Sequence, residues 1–121
     1  ENYKAIFEKY GLINVFLITP QTSDERIRFI DKISDGFIYM VSSSAVTGSK
    51  STFGNAQSNY FKRIEAMNLK APQIIGFGIS NAETFQQATK FSKGAIIGSA
   101  FINHLKENGV NSIEKFIDKI R

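Results

Sequence analysis

Four short apolar runs, each followed by a stretch of helical periodicity, constrain this chain more than any other feature. Ile13 to Ile18 is interrupted only by Asn14, carries Val15, Phe16 and Leu17 in succession, and lies between Gly11 and Pro20. Phe37-Ile38-Tyr39-Met40-Val41 follows Gly36, Ile74-Ile75-Gly76-Phe77 follows Pro72, and Ala95-Ile96-Ile97 follows Gly94. Runs this short that do not alternate with polar residues read as strands buried on both faces, the pattern of parallel sheets.

Between the runs, apolar residues recur every three or four positions. Tyr3, Ile6, Phe7 and Tyr10 mark one face of a first helix that Gly11 stops. Ile27, Ile30 and Ile33 mark a second; Tyr60, Phe61, Ile64 and Met67 a third; Phe85, Ala88 and Phe91 a fourth. Phe101, Ile102 and Leu105 give a short helix ended by Asn108-Gly109, and Ile113, Phe116, Ile117 and Ile120 a last one. Thr22 with Glu25, Ser80 with Glu83, and Asn111 with Glu114 have the spacing of cap pairs. Residues 42–55 read as a polar loop.

Strand–helix alternation of this kind predicts βαβ units and a parallel α/β sheet. Strand starts near 13, 37, 74 and 95 suit a small doubly wound sheet or half of an eight-stranded barrel. A first residue of Glu1 rather than Met, with a helix at once, favours the half barrel: one segment over 1–121 cut from a longer chain.

Composition narrows the chemistry. Among 121 residues there is no cysteine and one histidine, His104, so disulfides, thiolate sites and multi-histidine metal sites are excluded. Fifteen Lys and Arg against eleven Asp and Glu leave +4, spread over helices rather than in the stripe a nucleic acid would need. No apolar run approaches membrane-spanning length and no leader is visible, so neither membrane nor secretion is expected.

Ligands of parallel α/β folds sit at the carboxyl ends of the strands. Here those ends are Thr19-Pro20, the stretch from Ser42 to Gly48, Gly78-Ile79-Ser80, and Gly98-Ser99-Ala100. Glycine lets a backbone N–H approach an anion closely, and a helix starting at Ser99 adds its positive end. Each glycine alone suits a tight turn equally well; Gly78, Gly98 and Ser99 at successive strand ends point to phosphate. On spacing alone Tyr39 and Phe77 read as core, and His104 as a surface residue. No carboxylate falls at a strand end, so an acid–base pair is not evident.

Four motifs occur together in order: Phe16-Leu17-Ile18-Thr19-Pro20; Phe37 to Ser42 with Val46-Thr47-Gly48; Gly76-Phe77-Gly78-Ile79-Ser80; and Ala95-Ile96-Ile97-Gly98-Ser99-Ala100. Over essentially the whole chain the sequence resembles the C-terminal half of the tryptophan synthase alpha subunit family. The resemblance implies a TIM barrel, a lyase of cytoplasmic tryptophan biosynthesis. It implies retro-aldol cleavage of indole-3-glycerol phosphate to indole and glyceraldehyde 3-phosphate. It implies no cofactor in this chain, and a partner beta subunit that holds pyridoxal phosphate and receives the indole. Carried over position by position, Gly48, Gly78, Gly98 and Ser99 match phosphate contacts. Leu17, Tyr39, Phe77 and Ile96 match the wall around the indole ring. Thr47 matches a threonine of the mobile loop.

Ser43 and Ala45 stand where many members have Arg and Gly, which implies altered loop closure. The family's catalytic carboxylates belong to the other half, so this segment is expected to hold substrate without turning it over. A different class of reading is a non-catalytic phosphate-binding half barrel that self-associates through its open strand edges. A relative of indole-glycerol-phosphate synthase would want a catalytic lysine at a strand end, where neither Lys50 nor Lys93 falls.

Overall fold

The four apolar runs pair side by side in chain order. The computed structural model describes residues 2–42 and 53–121. In it β1 (Phe16–Ile18), β2 (Ile38–Val41), β3 (Gln73–Gly76) and β4 (Gly94–Ala95) form one parallel sheet of order β1-β2-β3-β4. Each strand neighbours its successor, and the order never reverses. A doubly wound sheet needs such a reversal, so the topology selects the barrel alternative. Right-handed crossovers that always step in one direction put every connecting helix on the same face.

The register separates the two faces. Phe16, Ile18, Ile38, Met40, Ile75 and Ala95 point to one side; Leu17, Tyr39, Ile74 and Gly94 point to the other. The first side is covered. α2 (Asp24–Ile33) brings Ile27 and Ile30, α3 (Asn55–Ala66) brings Tyr60, Phe61 and Ile64, and α4 (Ala82–Thr89) brings Ala88. These residues bury with Ile18, Ile38, Met40 and Ile75 in one core cluster, against which Phe53, Phe85 and Phe91 also pack. For α2, α3 and α4 the helical stripes expected from the sequence are therefore the ones turned to the core.

The cap pairs shift. Thr22 spends its hydroxyl on the turn after β1, accepting from the Thr19 N–H at 2.9 Å. Ser23, one residue later, caps α2 by accepting from the Arg26 N–H at 3.2 Å. α4 is capped by Asn81 rather than Ser80. Its side chain accepts from the Thr84 N–H at 2.8 Å, and the Thr84 hydroxyl accepts from the Asn81 N–H at 3.1 Å. A 3-10 turn, Val110–Ser112, displaces the expected Asn111–Glu114 cap of α6 (Ile113–Ile120). β1, β2 and β4 are also shorter than their apolar runs, β1 by three residues at its start, while β3 keeps the length of its run and begins one residue earlier.

α5 (Ser99–Asn108) and α6 pack on each other outside the main core. Phe116 is their centre, with ring centroids 5.4 Å from Phe101 and 5.1 Å from His104. His104 Nε2 lies 3.1 Å from the Ser112 carbonyl, so this half-buried ring fastens two helices instead of lying free on the surface. α1 (Asn2–Lys9) is the least attached element: Tyr3, Ile6 and Tyr10 on its apolar stripe remain exposed.

Candidate functional site

The open face of the sheet is apolar and bare at its edge. Leu17 is 57% exposed, while Tyr39 beside it is half-buried. Ile96 lies two residues beyond Gly94 on this same side; its N–H donates to the Ile75 carbonyl at 2.8 Å, and Ala95 and Ile97 pack on the core side. Period-two alternation would send Phe77 to the helix side with Ile75. It does not go there. Phe77 has φ +62°, a left-handed conformation that breaks the alternation. Its ring stands 6.0 Å from Tyr39 at 58° and remains 56% exposed. The reading of Phe77 as core is thus wrong, and the reason is backbone conformation. Four residues expected to wall an indole pocket belong to one face.

Gly76 makes this possible. A Cβ built there would overlap the phenol oxygen and Cζ of Tyr39, so the Tyr39 ring lies directly over the strand where no side chain stands. Burial pushes the Tyr39 phenol above its ordinary value.

The phosphate candidates follow the ends of adjacent strands. Gly78, two residues past β3, has φ +77°; a Cβ there would sit 3.3 Å from the Phe53 ring and 3.6 Å from Ser42 Oγ. Gly98 caps α5, and Ser99 is that helix's first residue. A Cβ at Gly98 would meet nothing within 4 Å, so the space over this residue is open. Both Gly98 and Ser99 are exposed, with the first N–H groups of α5 unclaimed by any side-chain cap. Gly48 and Thr47, with Ser43, Ala45 and Lys50, lie outside the described residues.

The first strand end is structural. Arg63 Nη2 donates to the Thr22 carbonyl at 3.1 Å and lies 3.4 Å from that of Pro20, while Nη1 lies 3.5 Å from Asp24. Among the described residues every Asp and Glu lies on a helix except Asp35, in the turn before β2 at the opposite end of the sheet. Asp31 is committed elsewhere, accepting from the Lys70 and Ala71 N–H groups at 3.0 and 2.8 Å. No group of three or more metal-ligating side chains occurs among the described residues. No helix there is long and apolar enough to cross a membrane. A cleft of about 510 Å³ opens between the start of α4, α5 and α6, where Asn81, Asn103, His104 and Lys119 line it. It shares only Ser80 and Ala100 with the strand ends and faces the outer helices.

The sequence reading put Ser42 at a strand end and Gly76 in a motif but gave neither a role, and it missed Phe53. A glycine inside a strand was the visible signal for Gly76. Nothing local marked Phe53 or the partner that Ser42 takes, because the groups each bonds are over thirty positions away.

A parallel sheet whose strands step in one direction, with an extra helix after its last strand, defines a β/α-barrel protein, present here as four of the units. The family model described as tryptophan synthase alpha chain matches residues 1–120, and the chain belongs to that family. It is 73% identical over all 121 residues to the tryptophan synthase alpha chain of Flavobacterium johnsoniae, of which it covers 48%. It is 50% identical over its full length to that of Bacteroides thetaiotaomicron, covering 46%. The chain therefore spans about half the length of these relatives. Among solved structures it resembles the tryptophan synthase alpha chain of Legionella pneumophila subsp. pneumophila, with TM-score 0.70, 28% identity, 96% of this chain and 40% of that one. It likewise resembles a chain of the Pyrococcus furiosus tryptophan synthase α2β2 complex, with TM-score 0.77, 27% identity, 99% of this chain and 48% of that one.

Proposed function

We propose that this segment holds the phosphate and the indole ring of indole-3-glycerol phosphate within a tryptophan synthase alpha subunit. Gly78, Gly98 and Ser99, with Gly48, receive the phosphate, and Leu17, Tyr39, Phe77 and Ile96 line the ring. The observation that carries the reading is the turned Phe77: a backbone residue in a costly conformation places an aromatic ring on the apolar face beside Tyr39. Apolar walls with free N–H groups at one end match a ligand that is aromatic at one end and a phosphate ester at the other. The complete enzyme cleaves this substrate to indole and glyceraldehyde 3-phosphate, with its acid and base outside these residues. The reading assigns no cofactor to this segment, pyridoxal phosphate to a beta-subunit partner that takes the indole, Thr47 to a mobile loop, and the protein to the cytoplasm.

Titration of the full-length protein with inorganic phosphate tests the site. Gly98→Val is expected to weaken phosphate at least about tenfold by filling the space above the α5 N–H groups, with stability nearly unchanged. Equal binding by parent and variant would place the anion elsewhere. The full-length protein is expected to release indole from indole-3-glycerol phosphate, and the 121-residue segment alone to release none. Indole from the segment would show that its catalytic groups lie within it.

A second reading, a self-associating half barrel, is favoured by the exposed Tyr3, Ile6, Tyr10, Leu12, Ile13 and Leu17. Sedimentation of the isolated segment separates the two; a clean monomer counts against self-association.

A further inference from the structure

We propose that Ser42 is a positioning residue for the strand-end site, its hydroxyl holding the Phe77–Gly78 peptide so that the Gly78 N–H faces the anion and the Phe77 ring faces the open side of the sheet; this rests on the site reading above. Ser42 follows β2 directly and is 1% exposed. It grips two consecutive carbonyls of the neighbouring strand end. Its N–H donates to the Gly76 carbonyl at 3.1 Å, and its hydroxyl donates to the Phe77 carbonyl in a very short bond.

The consequence is geometric. The Phe77 C=O and the Gly78 N–H belong to one planar trans peptide, in which they point in opposite directions. A hydroxyl that draws the carbonyl toward β2 therefore turns the N–H away from it. Phe77 at φ +62° and Gly78 at φ +77° are two left-handed residues in a row, and a phenylalanine stays in that region only where its surroundings hold it. Glycine at 78 tolerates either orientation of the peptide before it, so the backbone alone does not fix the N–H direction. The hydroxyl supplies what glycine leaves free. A buried serine could satisfy itself with any nearby carbonyl; this one reaches 35 positions along the chain to the carbonyl whose peptide carries the site's N–H.

The test uses the full-length protein and inorganic phosphate as probe. Ser42→Ala is expected to weaken phosphate about tenfold and to raise KM for indole-3-glycerol phosphate with little change in kcat. Ser42→Cys keeps the packing with a weaker donor and gives a smaller loss in the same direction, which covers the case of an alanine variant that does not fold. Ser92→Ala removes a hydroxyl bonded to the Ala88 and Gly94 carbonyls, at the other end of β4. It is expected to lower the melting temperature without moving phosphate affinity. If Ser42→Ala and Ser42→Cys lower only the melting temperature while Gly98→Val abolishes binding, Ser42 is structural and the site stands. If the parent itself binds no phosphate, the site reading and this proposal fall together.

Discussion

The two faces of the sheet are built from the same four apolar runs, yet they differ sharply. On the helix side Ile18, Ile38, Met40 and Ile75 are completely buried. On the open side Leu17 is 57% exposed, and Phe77, just beyond β3, is 56% exposed. Apolar character alone does not decide which face is covered; the direction of the crossovers does, by sending α2, α3 and α4 to one side. Hydrophobic residues on the covered face hold the segment together. Those on the open face are free to meet a ligand or the remaining strands of a barrel, so the same kind of side chain has a different consequence on each side.

Truncation on the covered face should have the largest effect. Phe61 is 1% exposed, with ring centroids 5.3 Å from Phe53 and 6.1 Å from Phe91. Phe61→Ala is expected to cost about 3–5 kcal/mol, a large share of an ordinary domain's stability, measured by denaturant unfolding. Leu17→Ala on the open face should change stability by less than about 0.5 kcal/mol, because half of that side chain already meets solvent. It should instead weaken indole binding. A Leu17 variant as damaging as the Phe61 variant would break the distinction between the faces.

A smaller effect is expected where the open face depends on an absent side chain. Gly76→Ala puts a methyl group where the Tyr39 phenol lies. The ring must swing off the strand, at about 1–3 kcal/mol by analogy with other overpacked sites. Because Tyr39 then leaves Phe77, the near-ultraviolet circular dichroism of the pair should change and indole affinity should fall. An unchanged spectrum would mean that the pair is not held as the structure has it.

Much of this was readable in advance, and the failures share one cause. Ile27, Ile30, Tyr60, Phe61, Ile64 and Ala88 repeat at helical spacing because each helix buries one stripe, so local periodicity sufficed. Gly78 and Gly98 stood out because strand ends are where parallel folds bind ligands. Strand order was not readable, because it depends on which runs pair, a property of no single segment. Phe77 was misread for a related reason. Alternation assumes a β backbone, and the left-handed φ that turns its ring is held by contacts across the sheet, Ser42 among them. The caps slipped by a residue at α2 and α4: the Thr22 hydroxyl is taken by the Thr19 N–H, and at α4 Asn81 caps while the Ser80 N–H donates to the Thr84 hydroxyl.

A polar flaw in the covered face yields the smallest prediction. Tyr60 is 4% exposed, and its hydroxyl has no hydrogen-bond partner among the described residues. Burial raises its phenol well above the ordinary value, only partly offset by the nearby Arg63 charge. At neutral pH the phenol is protonated in both folded and unfolded chains, so the cost is that of a desolvated hydroxyl. Tyr60→Phe should recover about 1 kcal/mol in denaturant unfolding near pH 7. Above the ordinary tyrosine value, about pH 10, the unfolded chain loses the Tyr60 proton while the folded chain keeps it, so stability falls as pH rises. The phenylalanine variant lacks this linkage, and its advantage over the parent should grow with pH above that point. An advantage independent of pH would mean that the hydroxyl reaches solvent or a partner on rearrangement, and that the covered face is less dry than its burial implies.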